Sequence, residues 1–480
     1  VIPLSLEHIA VATGGRLLDA DPEHVADSLV VDSRQIRPGA IFAALPGERV
    51  DGARFVTQVV REGAAVVLVP REHPDSASWA EQKVPRIEVA DVQTALGHVA
   101  RAVRLRSRAQ VVGVTGSSGK TSTKDMLAAV LSPHRRTVAN EKSFNNEVGL
   151  PLTLSRISSD TQIAVLEMGT AGAGQIAELC DIALPDVGVV TIVGMSHFEQ
   201  FGNSQDAIAV EKSALVRALP PEGLAVLNAD DERVLAMRLQ VACRVLTYGV
   251  HNEDADVRAT GVRLDADGRP SFTLHLPEGT APVDLPATGE HMVVNALAAA
   301  AVATGLGLTV TEIAQGLASF TLSPGRMQTS ERADGVRVID DSYNANPVSV
   351  EAGLRALVAS RREGGRAVVV LGEMADLADL ADEAHRAIGR LAASLGVDLF
   401  VAVGARPELA AAAAREAGLE HTLVLDKPQE VAAALAPLLE PADVVLLKGS
   451  RSAGLEVAAQ ALAGTTPESA PEESGKVGAA

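Results

Sequence analysis

The chain has 480 residues, with 42 Lys plus Arg against 61 Asp plus Glu and a formal net charge of −19; at roughly 150 residues per domain this length suggests about three domains. An acidic chain with only 8 Phe, 2 Tyr and 1 Trp lacks the basic surface and stacking platforms of a general nucleic-acid binder and must build its cores from Ala, Val, Leu and Ile. Two cysteines, Cys180 and Cys243, exclude a disulfide framework and a cysteine zinc cage.

Three blocks and a tail are expected in chain order: 1–107, 108–322, 323–464 and 465–480. The first mixes short strands and helices, with a buried strand at 64–69 ended by Pro70 and a basic, helix-compatible link at 101–108. The second carries strand candidates at 111–115, 163–167, 187–193, 224–228 and 244–248. Helical stretches between most of them predict a parallel sheet covered on both faces. From 256 to 288 the pattern alternates and is rich in turns, as in a small antiparallel insert or edge, and 292–303 returns to helix. The third block repeats the rhythm with strands at 337–341, 367–371, 399–403, 422–425 and 444–448. The tail is low in apolar residues and is expected to be disordered. The fold class is therefore α/β: a smaller mixed N-terminal domain, a central parallel-sheet domain of P-loop type and a Rossmann-like C-terminal domain. The most apolar window, 296–310, is broken by Thr and Gly and too short to span a bilayer. The first residues carry no basic n-region. A cytoplasmic chain without membrane insertion is expected.

The strongest local signal is Val111-Val-Gly-Val-Thr-Gly-Ser-Ser-Gly-Lys-Thr121, an apolar strand that ends in a Gly-rich turn before a helix. Gly116, Ser117, Ser118 and Gly119 would aim backbone N–H groups and a helix N-terminus at a phosphate. Lys120 would neutralise the β- and γ-phosphates, and the Thr121 hydroxyl would ligate Mg²⁺. The usual first glycine of the G-x-x-x-x-G-K-[ST] pattern falls at position 114, which is Val; the shorter G-x-x-G-K-T form is present. Glu167 ends the apolar run Ile163-Ala-Val-Leu-Glu167, and a carboxylate there faces the crevice of an open α/β sheet.

The ordered set of motifs resembles one family. Thr115-Gly-Ser-Ser-Gly-Lys-Thr-Ser-Thr-Lys124 is similar to the ATP loop of Mur ligases and folylpolyglutamate synthases. Asn145-Asn-Glu-Val-Gly-Leu-Pro, Glu167-Met-Gly169 and Ser196-His-Phe-Glu-Gln-Phe-Gly202 follow in the family's order. Asp340-Asp-Ser-Tyr-Asn-Ala-Asn-Pro347, Leu371-Gly-Glu-Met374 and Lys448-Gly-Ser-Arg451 narrow the resemblance to the MurF family, the UDP-N-acetylmuramoyl-tripeptide–D-alanyl-D-alanine ligases. In the first block, Asp32-Ser-Arg34 and the 44–52 segment also match.

The resemblance implies ATP-dependent amide formation in peptidoglycan synthesis, with ATP, Mg²⁺, UDP-MurNAc-tripeptide and D-Ala-D-Ala as cofactors and substrates, in a monomer. By that resemblance Lys120, Glu167, His197 and Lys212 carry catalysis. Thr121, Glu167 and His197 hold metal, with Glu199 a weaker neighbour, and Lys212 is carbamylated. Asn295, Arg326 and Asp341 join the phosphate loop in binding ATP. Met292 stands where the family has an adenine-side Asn, and Lys212-Ser213-Ala214 departs from the family's Lys-Gly-Glu. Ser33 and Arg34 take the UDP end, where the planar guanidinium suits a diphosphate. Asn145 and Asn146 take the nucleotide-sugar peptide. Tyr343, Asn344 and Asn346 shape the nucleotide and acceptor region, and Lys448, Ser450 and Arg451 hold the dipeptide carboxylate. Read without the family, His197 is equally a surface loop residue, Lys212 a solvated helix lysine, and the Asn-Ala-Asn-Pro run a turn. Other amide ligases, and a nucleotide-binding subunit without catalysis, are the competing functions.

Overall fold

The computed structural model describes residues 2–47, 50–141 and 144–464; Glu48 and Arg49 of the first-block motif, and the 465–480 tail, lie outside the described residues. The first block contains β1 (Leu4–Ser5), β2 (Arg16–Leu18), β3 (Val25–Ala26), β4 (Ser28–Val30), β5 (Ala40–Ala43), β6 (Val66–Pro70) and β7 (Arg86–Val89). β1 and β3 form an antiparallel pair, and the others form a sheet in the order β2-β7-β6-β5-β4, parallel except at β2. The basic link belongs to a longer helix, Val92–Arg106, capped by the Asp91 carboxylate. Its Arg104 reaches the second sheet, donating to the Ala183 carbonyl and, at 2.9 Å, to Asp186.

The central sheet contains β8 (Gln110–Thr115), β9 (Thr137–Ala139), β10 (Ile163–Glu167), β11 (Val187–Val190), β12 (Leu224–Asn228), β13 (Arg244–Gly249), β14 (Val257–Leu264), β15 (Pro270–Leu276) and β16 (Gly279–Asp284). Their order is β16-β15-β14-β13-β12-β11-β8-β10-β9. All neighbours from β9 to β14 run parallel, and β14–β16 form an antiparallel meander. The turn-rich stretch is thus an edge continuous with the parallel sheet. β8 lies between β10 and β11, so the chain order reverses around it and a crevice opens at its C-terminal end.

One expected strand is shorter than the apolar run suggests. The 187–193 segment leaves the sheet after Val190 because Thr191 and Ile192 turn to the phosphate loop. Thr191 Oγ1 donates to the Ser118 carbonyl at 2.6 Å, and the Ile192 carbonyl accepts from Ser117 N at 2.8 Å.

The third sheet holds β17 (Gln328–Glu331), β18 (Arg337–Asp341), β19 (Ala367–Leu371), β20 (Leu399–Val403), β21 (His421–Leu425) and β22 (Val444–Lys448), in the order β17-β18-β22-β19-β20-β21. Only the edge strand β17 is antiparallel. Register sets Asp341 directly beside Lys448. Buried apolar side chains of the second and third blocks form one contiguous cluster, and a second cluster joins the first block to the central sheet. Among the described residues no helix is long and apolar enough to cross a membrane.

Small residues let the central helices approach closely. Gly316, on the helix Val310–Leu317, would place a Cβ 2.5 Å from the Val130 Cα of the helix Lys120–Leu131. Gly316→Ala should gain about 1 kcal/mol of helix propensity and lose about 1–3 kcal/mol to overpacking against a backbone atom. The expected result is a lower urea midpoint with unchanged slope; a midpoint at or above that of the parent would refute the close packing.

Candidate active site

Two glycines shape the phosphate loop. Gly116 has φ +153° and Gly119 φ +81°. A Cβ on Gly116 would stand 1.8 Å from Thr191 Oγ1, and one on Gly119 would stand 2.4 Å from Asn295 Oδ1. Only glycine combines this backbone freedom with such close approach. Between them Ser117 Oγ donates to the Gly194 carbonyl at 2.9 Å. The helix Lys120–Leu131 begins directly after Gly119, so its unpaired N–H groups open on the loop.

Lys120 Nζ donates to the Gly116 carbonyl at 2.7 Å. Burial holds its ammonium below the ordinary lysine value; Glu167 opposes this and Arg326 adds to it. Glu167 is fully buried at the end of β10. Its carboxylate accepts from Thr121 Oγ1 at 2.9 Å and from Asn145 Nδ2 at 2.7 Å. Asn140 supports it from behind, with Oδ1 accepting from Glu167 N. Lys212 is also buried, on the helix Gln205–Arg217. Burial lowers its ammonium to about 7, with the Lys120 charge adding and Glu211 opposing. Lys120, Glu167, Lys212 and Arg326 therefore share one electrostatic neighbourhood.

The third block closes over this loop. Ser117 to Ser122 line one pocket with Arg326, Asn344, Asn346 and Ser349. Asn346 has two tasks. Its Oδ1 caps the helix Pro347–Ala359 by accepting from Ser349 N at 2.9 Å, and its Nδ2 donates across the blocks to the Ser117 carbonyl at 3.3 Å. The Arg326 guanidinium lies 4.3 Å from the centre of the Tyr343 ring, and Arg451 lies 5.8 Å from it on the same residue. Among the described residues, Arg326 Nε is buried without a hydrogen-bond partner.

His197 follows β11 in a left-handed conformation, φ +51°. Its Nδ1 is 3.1 Å from Asp376 Oδ2 of the third block, and that hydrogen bond holds the Asp376 carboxyl below its usual range. Among the described residues no hydrogen bond or ion pair links His197 to Glu167 or Lys212. Lys448 is paired inside the third block. It is buried, and its Nζ donates to the Asp341 carboxylate and, at 3.0 Å, to the Asn344 carbonyl. His291 lies beside this pair; burial lowers it to about 4, opposed by Asp341 and reinforced by Lys448, so it is neutral at pH 7. Ser450 joins loops, donating to the Ala345 carbonyl and accepting from Ala375 N. Arg451 pairs with Glu456 at 3.5 Å.

The remaining expected residues are more scattered. Asn146 Oδ1 accepts from Gly149 N at 2.9 Å, where the helix Gly149–Ser155 begins. Arg34 forks onto Asp32, with Nη2 2.9 Å from Oδ2, at the C-terminal end of β4; Ser33 opens the same turn. Met292 is a core residue, and its Sδ lies 3.8 Å from Asn295 Nδ2, so an apolar wall stands at that position. Asn140, Thr191, Ser349 and Asp376 went unnoticed in the sequence. Asn140 and Asp376 lie in irregular segments without a motif, but Ser349 is signalled as the third residue of a helix capped by Asn346.

The donor set suits a nucleotide with Mg²⁺. An orphaned guanidinium N–H beside a phosphate loop fits a phosphate oxygen. Thr121 and Glu167 present hard oxygen donors in contact, and Mg²⁺ takes few protein ligands, filling its octahedron with phosphates and water. Among the described residues no group of three His, Cys, Asp or Glu side chains is arranged around one metal position.

Comparison with known proteins agrees with this geometry. Residues 26–104 match the family model "Mur ligase family, catalytic domain", residues 114–303 "Mur ligase middle domain" and residues 325–451 "Mur ligase, glutamate ligase domain". The chain is 41% identical to the UDP-N-acetylmuramoyl-tripeptide–D-alanyl-D-alanine ligase of Mycobacterium tuberculosis, covering 96% of this chain and 98% of that protein. It is 34% identical to the Escherichia coli enzyme of the same name, covering 96% and 99%. The crystal structure of MurF from Acinetobacter baumannii superposes with a TM-score of 0.86 at 32% identity, over 96% of this chain and 99% of that one. MurF from Thermotoga maritima in complex with ADP gives 0.78 at 28% identity, over 92% and 97%. The chain belongs to the MurF family of the Mur ligases.

Proposed function

We propose that this chain joins D-alanyl-D-alanine to UDP-N-acetylmuramoyl-tripeptide at the expense of ATP, through an acyl phosphate, in peptidoglycan precursor synthesis. The observation that carries the reading is the pocket in which the second block's phosphate loop meets Arg326, Asn344 and Asn346 of the third. Blocks 1–107, 108–322 and 323–464 act as domains for the UDP-sugar, ATP and the dipeptide respectively. ATP and UDP-linked sugars are intracellular reagents, so the reaction is cytoplasmic, and we take the chain to act as a monomer.

In the first step the tripeptide's terminal carboxylate attacks the γ-phosphorus and ADP leaves. Two anions must meet, so fixed cations have to offset their repulsion. Lys120 and Arg326, which line the same pocket, would supply them, and the backbone N–H groups of 116–119 would bind the phosphates. Bound Mg²⁺ adds Lewis-acid neutralisation of phosphate charge; Thr121 and Glu167 would hold it beside the nucleotide, and His197 would serve a second ion. In the second step the dipeptide amine attacks the acyl-phosphate carbonyl and inorganic phosphate leaves. Arg451 beside Tyr343 is the cation suited to the dipeptide carboxylate. Lys448, committed to Asp341, acts by fixing that carboxylate for the ribose.

Lys212 is proposed to carry a carbamate. Carbamylation needs a neutral amine to attack CO₂, and an amine held near 7 by burial is largely in that form at pH 7.5, unlike an ordinary lysine. The modification would replace a buried, largely neutral amine with an anion in the field of Lys120.

Phosphate release with ATP, UDP-MurNAc-tripeptide and D-Ala-D-Ala tests the reaction. Turnover is expected with that pair, and Lys120→Ala should reduce it at least 1,000-fold, on the order of 4 kcal/mol of lost phosphate stabilisation, while the circular-dichroism spectrum is unchanged. No turnover with the pair, but turnover with free amino acids or glutamate, would sink the assignment.

The Lys212 amine gives a second test. Its folded value of about 7 lies below the ordinary 10.5, so the unfolded chain binds this proton more readily. The burial penalty is therefore full below about pH 7 and fades as pH rises towards 10.5. In carbonate-free buffer Lys212→Met should raise the thermal midpoint more at pH 6.5 than at pH 9.5. An increment that is equal or larger at pH 9.5 would contradict the buried, easily neutralised amine.

A further inference from the structure

The segment that carries Arg326 is tied to the phosphate-loop helix by a carboxylate that the reaction scheme does not use. Asp125 lies five residues after Lys120 on the helix Lys120–Leu131. Its Oδ2 accepts from Ser323 N at 2.7 Å and its Oδ1 from Ser323 Oγ at 3.1 Å. Both carboxylate oxygens thus hold one residue nearly 200 positions away in sequence. Lys124 Nζ, buried at 2.9 Å from Asp125 Oδ1, neutralises the carboxylate. The same ammonium donates to the Asn140 carbonyl at 3.0 Å. The Asn140 side chain in turn accepts from Glu167 N and donates to the Phe144 carbonyl, next to Asn145. One node therefore touches the strand end that bears Glu167, the loop that bears Asn145 and the segment that leads to Arg326.

Downstream of Ser323 the chain has little freedom. Pro324 fixes its own φ, while Gly325 and Met327 are left-handed at +69° and +52°. The Gly325 carbonyl accepts from Tyr343 N at 3.2 Å. Three residues span at most about 10 Å, so a displacement at Ser323 is passed to Arg326 rather than absorbed.

We propose that Asp125 is a positioning residue: its carboxylate fixes the pivot of the third block at Ser323 and thereby sets Arg326 over the phosphate loop. The proposal rests on the ligase reading only for its turnover readout. Nucleotide affinity reads it independently.

The test is a double-mutant cycle of Asp125→Ala and Arg326→Ala on the full chain, read by kcat and by the dissociation constant of a fluorescent ADP analogue. Losing a doubly hydrogen-bonded carboxylate should lower kcat by about 10- to 100-fold and weaken ADP, with the KM for UDP-MurNAc-tripeptide within about threefold of the parent. In the Arg326→Ala background Asp125→Ala should change kcat and ADP affinity by less than about twofold, because it acts through the missing guanidinium. Asp125→Asn, which keeps an acceptor for the Ser323 amide, should recover most of the loss, and it carries the cycle if Asp125→Ala fails to fold. Ser323→Ala, which keeps that amide, should stay within about threefold. Effects of Asp125 and Arg326 that multiply independently would overturn the proposal, as would an Asp125→Ala enzyme that loses thermal stability but keeps kcat and ADP affinity. If the parent shows no ligase turnover, the ADP-affinity cycle still decides the positioning role, and the two failures are told apart.

Discussion

Close approach without side chains is the constraint on which the site depends. The phosphate loop is pressed between Thr191, just past the end of the strand beside it, and Asn295, from the helix His291–Gly305, and a methyl group at Gly116 or Gly119 would overlap one or the other. Because the loop lies so deep, the third block can reach its carbonyls, as Asn346 does at Ser117. Because Asn346 also caps the helix that follows, the contact orients a whole element and not one side chain. The cations then fall into place: Lys120 from the loop itself, and Arg326 from the segment held by Asp125.

Such placement concentrates positive charge in an acidic protein. Lys120 and Lys124 lie on the helix Lys120–Leu131 and Lys212 on the helix Gln205–Arg217, and Lys124 and Lys212 are buried. Desolvation disfavours each charge, and the chain answers in three ways. Lys124 is given carbonyl and carboxylate partners. Lys212 has its ammonium brought to about 7, where the proton is easily lost. Lys120 and Arg326 are placed in the lining of the pocket, Lys120 donating to the Gly116 carbonyl and Arg326 lying over the Tyr343 ring. The net charge of −19 describes the solvated faces and does not set the field of this cleft, which is governed by groups a few ångströms apart.

Much of the fold was legible because a parallel sheet writes itself as apolar runs. β10, β12, β18, β19, β20 and β22 begin and end where the runs do. The phosphate loop and Glu167 were legible for a related reason, since strand ends and glycine turns have fixed geometric meaning. The 187–193 run misled because hydrophobicity does not report that Thr191 is claimed by a loop 73 residues earlier in the chain. His197–Asp376, Asn346–Ser117 and Asp125–Ser323 were invisible for the same reason: each joins segments that no local periodicity connects.

The pair Asp341–Lys448 shows where strand-end reasoning needs a second fact. Both residues end parallel strands, so each alone qualifies as a crevice-facing charge. The sheet order, which the chain order does not reveal, makes β18 and β22 neighbours and sets the two residues in register. A buried cation beside a buried carboxylate is far better paired than left to await a ligand, since breaking such a pair leaves an uncompensated charge. Lys448 is therefore spent on holding Asp341 and the Asn344 carbonyl, whereas Arg451, one turn beyond the same strand, is half in solvent beside Glu456 and Tyr343. A charge at the end of a parallel strand therefore has to be read together with its neighbour in register, which decides whether it is spent on that neighbour or held by it towards the crevice.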